Sequence, residues 1–155
     1  MRAGEIRTAK DSDCAAVEAC VRAAYQKYLP RMRTPPAPML ADYAALIARG
    51  VVYVIDDAAT GATSGLIVCW PEDGAIFVEN VAVQPANQGH GLGRRLMDFA
   101  EQLARSVALP EIRLYTNEVM TENIRFYASL GFEETDRRLD HGYQRIFMRK
   151  RLRSQ

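Results

Sequence analysis

The chain has 155 residues, 48% of them hydrophobic and 25% charged, which suits a single domain over residues 1–155 with room for a cleft and is short for two. A formal net charge of +1 gives no long-range field to gather nucleic acid or an anionic membrane, and no run approaches the roughly 20 apolar residues that span a bilayer. The start, Met1-Arg2-Ala3-Gly4-Glu5, lacks the apolar segment of a secretory signal, so a cytoplasmic address is expected.

Ile6-Arg7-Thr8 reads as a first strand. Asp11, Ser12 and Asp13 offer N-caps for a helix to about Tyr25, with Val17, Cys20, Val21 and Ala24 at helical spacing. Leu29 to Pro38 is rich in proline and arginine and reads as a loop, followed by a helix from Leu40 to Ala48 that Gly50 stops. With Tyr25, Tyr28 and Tyr43 around it, this stretch fits a substrate-facing flap and equally a proline-restrained surface loop.

From Val51 the period changes to that of strands. Val51 to Asp56, Gly65 to Trp70 and Ala75 to Val83 are separated by turns and predict an antiparallel meander. A helix follows with Leu96, Ala100, Leu103 and Val107 on one stripe, then a strand from Ile112 to Thr116, an order that implies a right-handed parallel crossover. Ile124 to Leu130 is a further helix closed by Gly131 and Phe132. Glu133 to Arg138 and Tyr143 to Met148 pair across Asp140-His141-Gly142, and Arg149-Lys150-Arg151-Leu152-Arg153 is expected to be a solvated basic tail. A terminal edge strand offers pairing to a second copy, a homodimer. Cys14, Cys20 and Cys69 are odd in number, without C-x-x-C or a nearby His pair, so they read as small residues on buried faces and no metal site is expected.

The stretch Gln88-Gly89-His90-Gly91-Leu92-Gly93-Arg94-Arg95 lies between a strand and a helix. Backbone N–H groups at such a helix start surround a phosphate, and the helix dipole adds about half a positive charge. Two arginines in a first helical turn oppose that dipole, which makes sense if a polyanion sits there. A P-loop is excluded because Arg94-Arg95 stands where Lys and Ser or Thr are required, and the glycine spacing departs from the dinucleotide fingerprint.

The same residues resemble the coenzyme A signature of the GNAT acetyltransferase superfamily, (Q/R)-x-x-G-x-(G/A). Glu79-Asn80-Val81-Ala82-Val83-Gln84-Pro85 is similar to that family's fourth strand, and Thr121 to Phe132 to its Asn-containing helix ending in F-Y-x-x-L-G-F. The resemblance covers about Ile6 to Met148. It implies an α/β fold of the GNAT type: a mostly antiparallel sheet of six to seven strands, a parallel and splayed fourth and fifth pair, and about four flanking helices. It further implies acetyl-CoA as cosubstrate, with Val81, Ala82 and Val83 beside the pantetheine and thioester. Gln88, Gly89, His90, Gly91, Leu92, Gly93 and Arg94 would hold the pyrophosphate, and an amine would be the acceptor. It also makes Tyr127 the proton donor to the departing thiolate. Asn123 shares Tyr127's helix face and either contacts the pantetheine or caps the helix.

An amine of pKa near 10.4 is mostly protonated, and reaching its neutral form at neutral pH costs about 4 kcal/mol, part of which a base recovers. Glu79 is the candidate. Strand alternation places it with Phe77, Val81 and Val83 as the one acid on an otherwise apolar face, where desolvation raises its pKa; substrate binding and a structural role are the alternatives. His141 is a weaker candidate, and Cys69 lacks a neighbouring base for acyl-enzyme chemistry. A CoA-responsive regulatory domain and a nucleotide-binding module are the rival functions.

Overall fold

The computed structural model describes residues 3–153. Seven strands form one sheet in the order β1-β2-β3-β4-β5-β7-β6. They are β1 (Ala3–Thr8), β2 (Val52–Asp57), β3 (Thr63–Glu72), β4 (Ala75–Val83), β5 (Glu111–Asn117), β6 (Glu133–Asp140) and β7 (Tyr143–Arg151). Only β4 and β5 run parallel among these pairs. Helices are α1 (Cys14–Tyr25), α2 (Ala37–Leu40), α3 (Tyr43–Ala48), α4 (Leu92–Ser106) and α5 (Thr121–Ser129). This is the mixed architecture the resemblance implies, with five helices where about four were expected.

Two apolar layers sandwich the sheet. On one face Val17, Cys20 and Val21 of α1 pack against Val52, Val54, Leu66 and Val68. On the other, Leu92, Leu96, Met97, Ala100 and Ala104 of α4 cover Ile55, Ile67, Ile76 and Ile112. Full burial of a side chain such as Leu96 or Ile67, both at 0% exposure, contributes about 1.5–3 kcal/mol. Val107 does not belong to the α4 stripe: the helix ends at Ser106 and Val107 is 47% exposed.

Other departures have local causes. The expected Leu40 to Ala48 helix begins only at Tyr43, where Asp42 caps α3 by accepting from the Ala45 N–H at 3.1 Å. The loop before it is partly helical, with a 3₁₀ stretch at Gln26–Arg31 and the single turn α2. No side chain caps α1. The Asp13 carboxylate is instead taken by Arg7 at 2.8 Å and by the Lys10 N–H at 2.7 Å. Arg149-Lys150-Arg151 is not a solvated tail: β7 continues through it, pairing Lys150 with Ile112 and Arg151 with Glu111. Gln155 and Ser154 lie outside the described residues. Edge strand β6 is exposed along most of its length and carries Glu133, Glu134, Asp136, Arg137 and Arg138, a charged edge of the kind that resists pairing with other chains.

Two irregularities create the space at the centre. The parallel pairing of β4 with β5 covers only Ile76 with Ile112, Phe77 with Arg113 and Val78 with Leu114; beyond Val78 the strands part. At the same point the β3–β4 register jumps from Cys69 opposite Val78 to Val68 opposite Asn80, which leaves Glu79 as an extra residue, a β-bulge.

Candidate active site

Past the bulge, Val81 and Val83 turn their carbonyls away from β3. Tyr25 Oη donates to Val81 O and Gln88 Nε2 donates to Val83 O, each at 3.2 Å. In an extended strand the N–H of a residue points the same way as its C=O, so the Val81 and Val83 N–H groups also face the gap left by β5. Ala82 points the other way, into the α1-side core at 2% exposure, so its side chain takes no part in the gap.

The glycine turn follows. Gly91 is the N-cap of α4 with φ +79°, a left-handed conformation in which a β-carbon costs about 1–2 kcal/mol. No side chain caps this helix start, and Arg95 N is the amide that bonds back to Gly91 O, at 3.0 Å. The amides of Leu92, Gly93 and Arg94 are therefore the unclaimed N–H groups of a helix end, an arrangement that binds anions. A β-carbon at Gly93 would lie 3.1 Å from Phe126 Cζ, so glycine lets α4 approach α5 there.

A cleft of about 410 Å³ runs from this turn past Val83 and Val81 to Asn123 and Tyr127. Gln88, Gly89, Gly91, Leu92, Gly93 and Arg94 line it; His90 and Arg95 do not and are exposed. Phe126 is half-buried and forms part of the cleft wall. Lys27 and Glu122 also line it, from segments in which no local pattern marked them.

Asn123 is the third residue of α5, and Met120 occupies the cap position, so capping is not its role. Its Oδ1 accepts from Tyr28 Oη at 3.4 Å. Tyr127 is held by its backbone and its ring. Its C=O accepts from the Leu130 and Phe132 N–H groups at 3.0 and 3.1 Å, and its ring centroid lies 5.2 Å from Phe126 and 5.7 Å from Phe132. Burial pushes the Tyr127 phenol above its ordinary range, which keeps it protonated near neutral pH.

On the far side of Tyr127 is a second, smaller cavity of about 40 Å³. Tyr25, Asn123 and Tyr127 line both cavities and form the junction between them. Met32, Pro36, Ala37 and Pro38 roof the small cavity, so the proline-rich segment is a wall of this cavity. It is pinned by Tyr143 Oη donating to Pro35 O at 2.7 Å and by Tyr43 Oη donating to Pro38 O. Tyr43 in turn accepts from Asn80 Nδ2 at 2.9 Å, and Asn80 Oδ1 accepts from Tyr25 Oη at 2.7 Å. This buried chain ties the roof to the splayed strand. Asn80 is 3% exposed, and its partners come from distant segments, so nothing near it in sequence pointed to the network.

Glu79 lines this second cavity and also an open groove walled by Trp70, Phe77 and Arg49. It shares Phe77's side of the sheet as expected, but not that of Val81 and Val83, which pack toward α4. The bulge at Glu79 is the reason, because one extra residue reverses the alternation beyond it. Burial raises the Glu79 pKa, opposed by the charges of Arg49 and Arg145. His141 stands on an exposed turn and lines neither cavity. Cys69 is buried and its thiol is pushed up to about 12, unsuited to acyl-carrier chemistry; Cys20 is likewise buried, whereas Cys14 is only half-buried.

The chain resembles known proteins in sequence and in fold. A model of the acetyltransferase (GNAT) domain matches residues 48–134. A mycothiol acetyltransferase of Streptosporangium roseum is 41% identical over 63 residues, 41% of this chain and 18% of that protein. The curated relatives this chain matches are thus far longer than the shared stretch. Among solved structures, the PaiA N-acetyltransferase of Thermoplasma acidophilum in complex with coenzyme A superposes with a TM-score of 0.80 at 17% identity, covering 98% of this chain and 100% of that one. Ard1 of Thermoplasma volcanium gives 0.75 at 22% identity, covering 99% and 100%. With more than half of the chain matched by the domain model and the parted β4 and β5 beside the glycine turn, the chain belongs to the GNAT acetyltransferase family.

Proposed function

We propose that this chain transfers the acetyl group of acetyl-CoA directly to an amine. The observation that carries the reading is the junction: one cleft suited to an extended anionic cofactor and one small cavity holding an acid meet at Tyr25, Asn123 and Tyr127. The α4 amides and Arg94 face the pyrophosphate, and the Val81 and Val83 N–H groups face the pantetheine and thioester. Glu79, directly or through water, takes the proton of the ammonium group. The freed lone pair attacks the thioester carbon, and a strand N–H stabilises the oxyanion, a contact typically worth about 2.7–4 kcal/mol. As the C–S bond breaks, Tyr127 Oη gives its proton to the sulfur; the second proton leaving the amine nitrogen restores the phenol, and the first passes from Glu79 to solvent. Burial holds the Tyr127 phenol in its protonated form, so Oη has a proton to give when the thiolate departs. N-acetylated amine and free CoA thiol are the products, with no covalent enzyme intermediate.

Turnover with a broad panel of amines, followed as free thiol, tests this. Amine-dependent release is expected; tight acetyl-CoA binding with no release across the panel would make the chain a CoA-responsive binding domain instead.

A further inference from the structure

Arg145 is the feature that the acetyl-transfer reading leaves unused. It sits on β7 at 7% exposure, in the wall of the same small cavity as Glu79. Nη1 donates to Asp140 Oδ2 at 2.8 Å and lies 3.4 Å from His141 Nδ1. The guanidinium stacks 4.0 Å from the Tyr115 ring centroid, with Tyr143 at 5.4 Å on its surroundings. Stacking occupies the face of the group and leaves its edge free. Among the described residues, Nε and Nη2 donate to nothing, and neither belongs to the fully buried unpaired atoms, which are Asp56 Oδ1 and Ser64 Oγ. Two donors of one fixed fork are therefore unclaimed on a residue that lines the cavity.

Glu79 and Arg145 line one cavity with opposite charges and yet do not form an ion pair with each other. A half-buried carboxylate and a buried guanidinium held apart are complementary to a molecule that carries an ammonium and a carboxylate a short distance apart. Resting on the acetyl-transfer reading, we propose that the acceptor is an amine that also bears a carboxylate, of the amino-acid class, with Arg145 binding the carboxylate while Glu79 receives the ammonium. Asp140 neutralises Arg145 overall, so recognition lies in the directed Nε and Nη2 donors more than in net charge. The small volume under the proline roof suits the head group of such a molecule, and the open groove past Trp70 takes the remainder.

The test uses the unmodified chain first. Free amino acids are screened by thiol release, and the best is compared with its own carboxamide and with the decarboxylated amine. Loss of the carboxylate is expected to lower kcat/KM by about 10- to 100-fold, mainly through KM, as for truncation of one side of a charged hydrogen-bonded pair. In Arg145→Met and Arg145→Lys the preference for acid over carboxamide should collapse toward one, Lys failing because it lacks the fork. Equal or better use of the carboxamide and the decarboxylated amine by the unmodified chain overturns the carboxylate assignment and leaves acetyl transfer standing. Silence of every amine, with acetyl-CoA bound, overturns the transferase reading itself.

Discussion

Replacing Tyr127 by Phe is expected to lower kcat by about 10²- to 10³-fold while acetyl-CoA affinity stays within about threefold, the pattern of a lost general acid. The substitution is nearly isosteric. The ring keeps its packing against Phe126 and Phe132 and its backbone keeps the hydrogen bonds that close α5, so neither fold nor cleft is disturbed. Only the hydroxyl at the junction of the two cavities is removed. Steady-state thiol release together with calorimetric binding of acetyl-CoA separates the two quantities. An unchanged kcat would remove Tyr127 from the chemistry and leave it a packing residue.

For Glu79→Gln, kcat/KM for the amine should fall by about 10²-fold or more at neutral pH, and the shape of its pH profile should change. The carboxylate serves as base only when ionised, and burial raises its pKa above 4.5, so activity of the unmodified chain falls as pH drops through that raised value. In the Gln variant this acidic limb disappears, leaving the limb set by the amine itself. Stability moves the opposite way. A carboxyl whose folded pKa is raised binds its proton more tightly in the fold, so stability falls as pH climbs from the unfolded to the folded pKa, and the penalty is full above the latter. Removing the charge should therefore raise the urea midpoint at neutral pH even as activity is lost. A profile that keeps its acidic limb in Glu79→Gln would assign the base elsewhere.

Sequence made the local parts of this site legible. Gly89, Gly91 and Gly93 announce a turn, the Val81 and Val83 strand precedes it, and Asn123 with Tyr127 share a helical face, all within short windows where period and residue type suffice. What escaped is set by pairing between distant segments. The bulge exists only as a mismatch between β3 and β4, so alternation counted straight through Glu79 put Val81 and Val83 on the wrong side of the sheet. The parting of β4 from β5 is likewise a property of two strands together. The basic run at Arg149 looked like a tail because its charges hide a strand whose partner, β5, lies far upstream. Arg145 did leave a signal: in Tyr143-Gln144-Arg145-Ile146-Phe147 it takes the position between two aromatic residues on one strand face, where an aliphatic residue would be ordinary.

The central claim is that the thioester and the amine meet beside Tyr127, and a crystal structure with acetyl-CoA bound tests it most directly. The pyrophosphate should lie on the amides of residues 92–94, the thioester oxygen within hydrogen-bonding distance of a β4 N–H beyond the bulge, and the sulfur within reach of Tyr127 Oη. Acetyl-CoA bound with its thioester directed away from Asn123 and Tyr127, or with its phosphates away from the glycine turn, would contradict it.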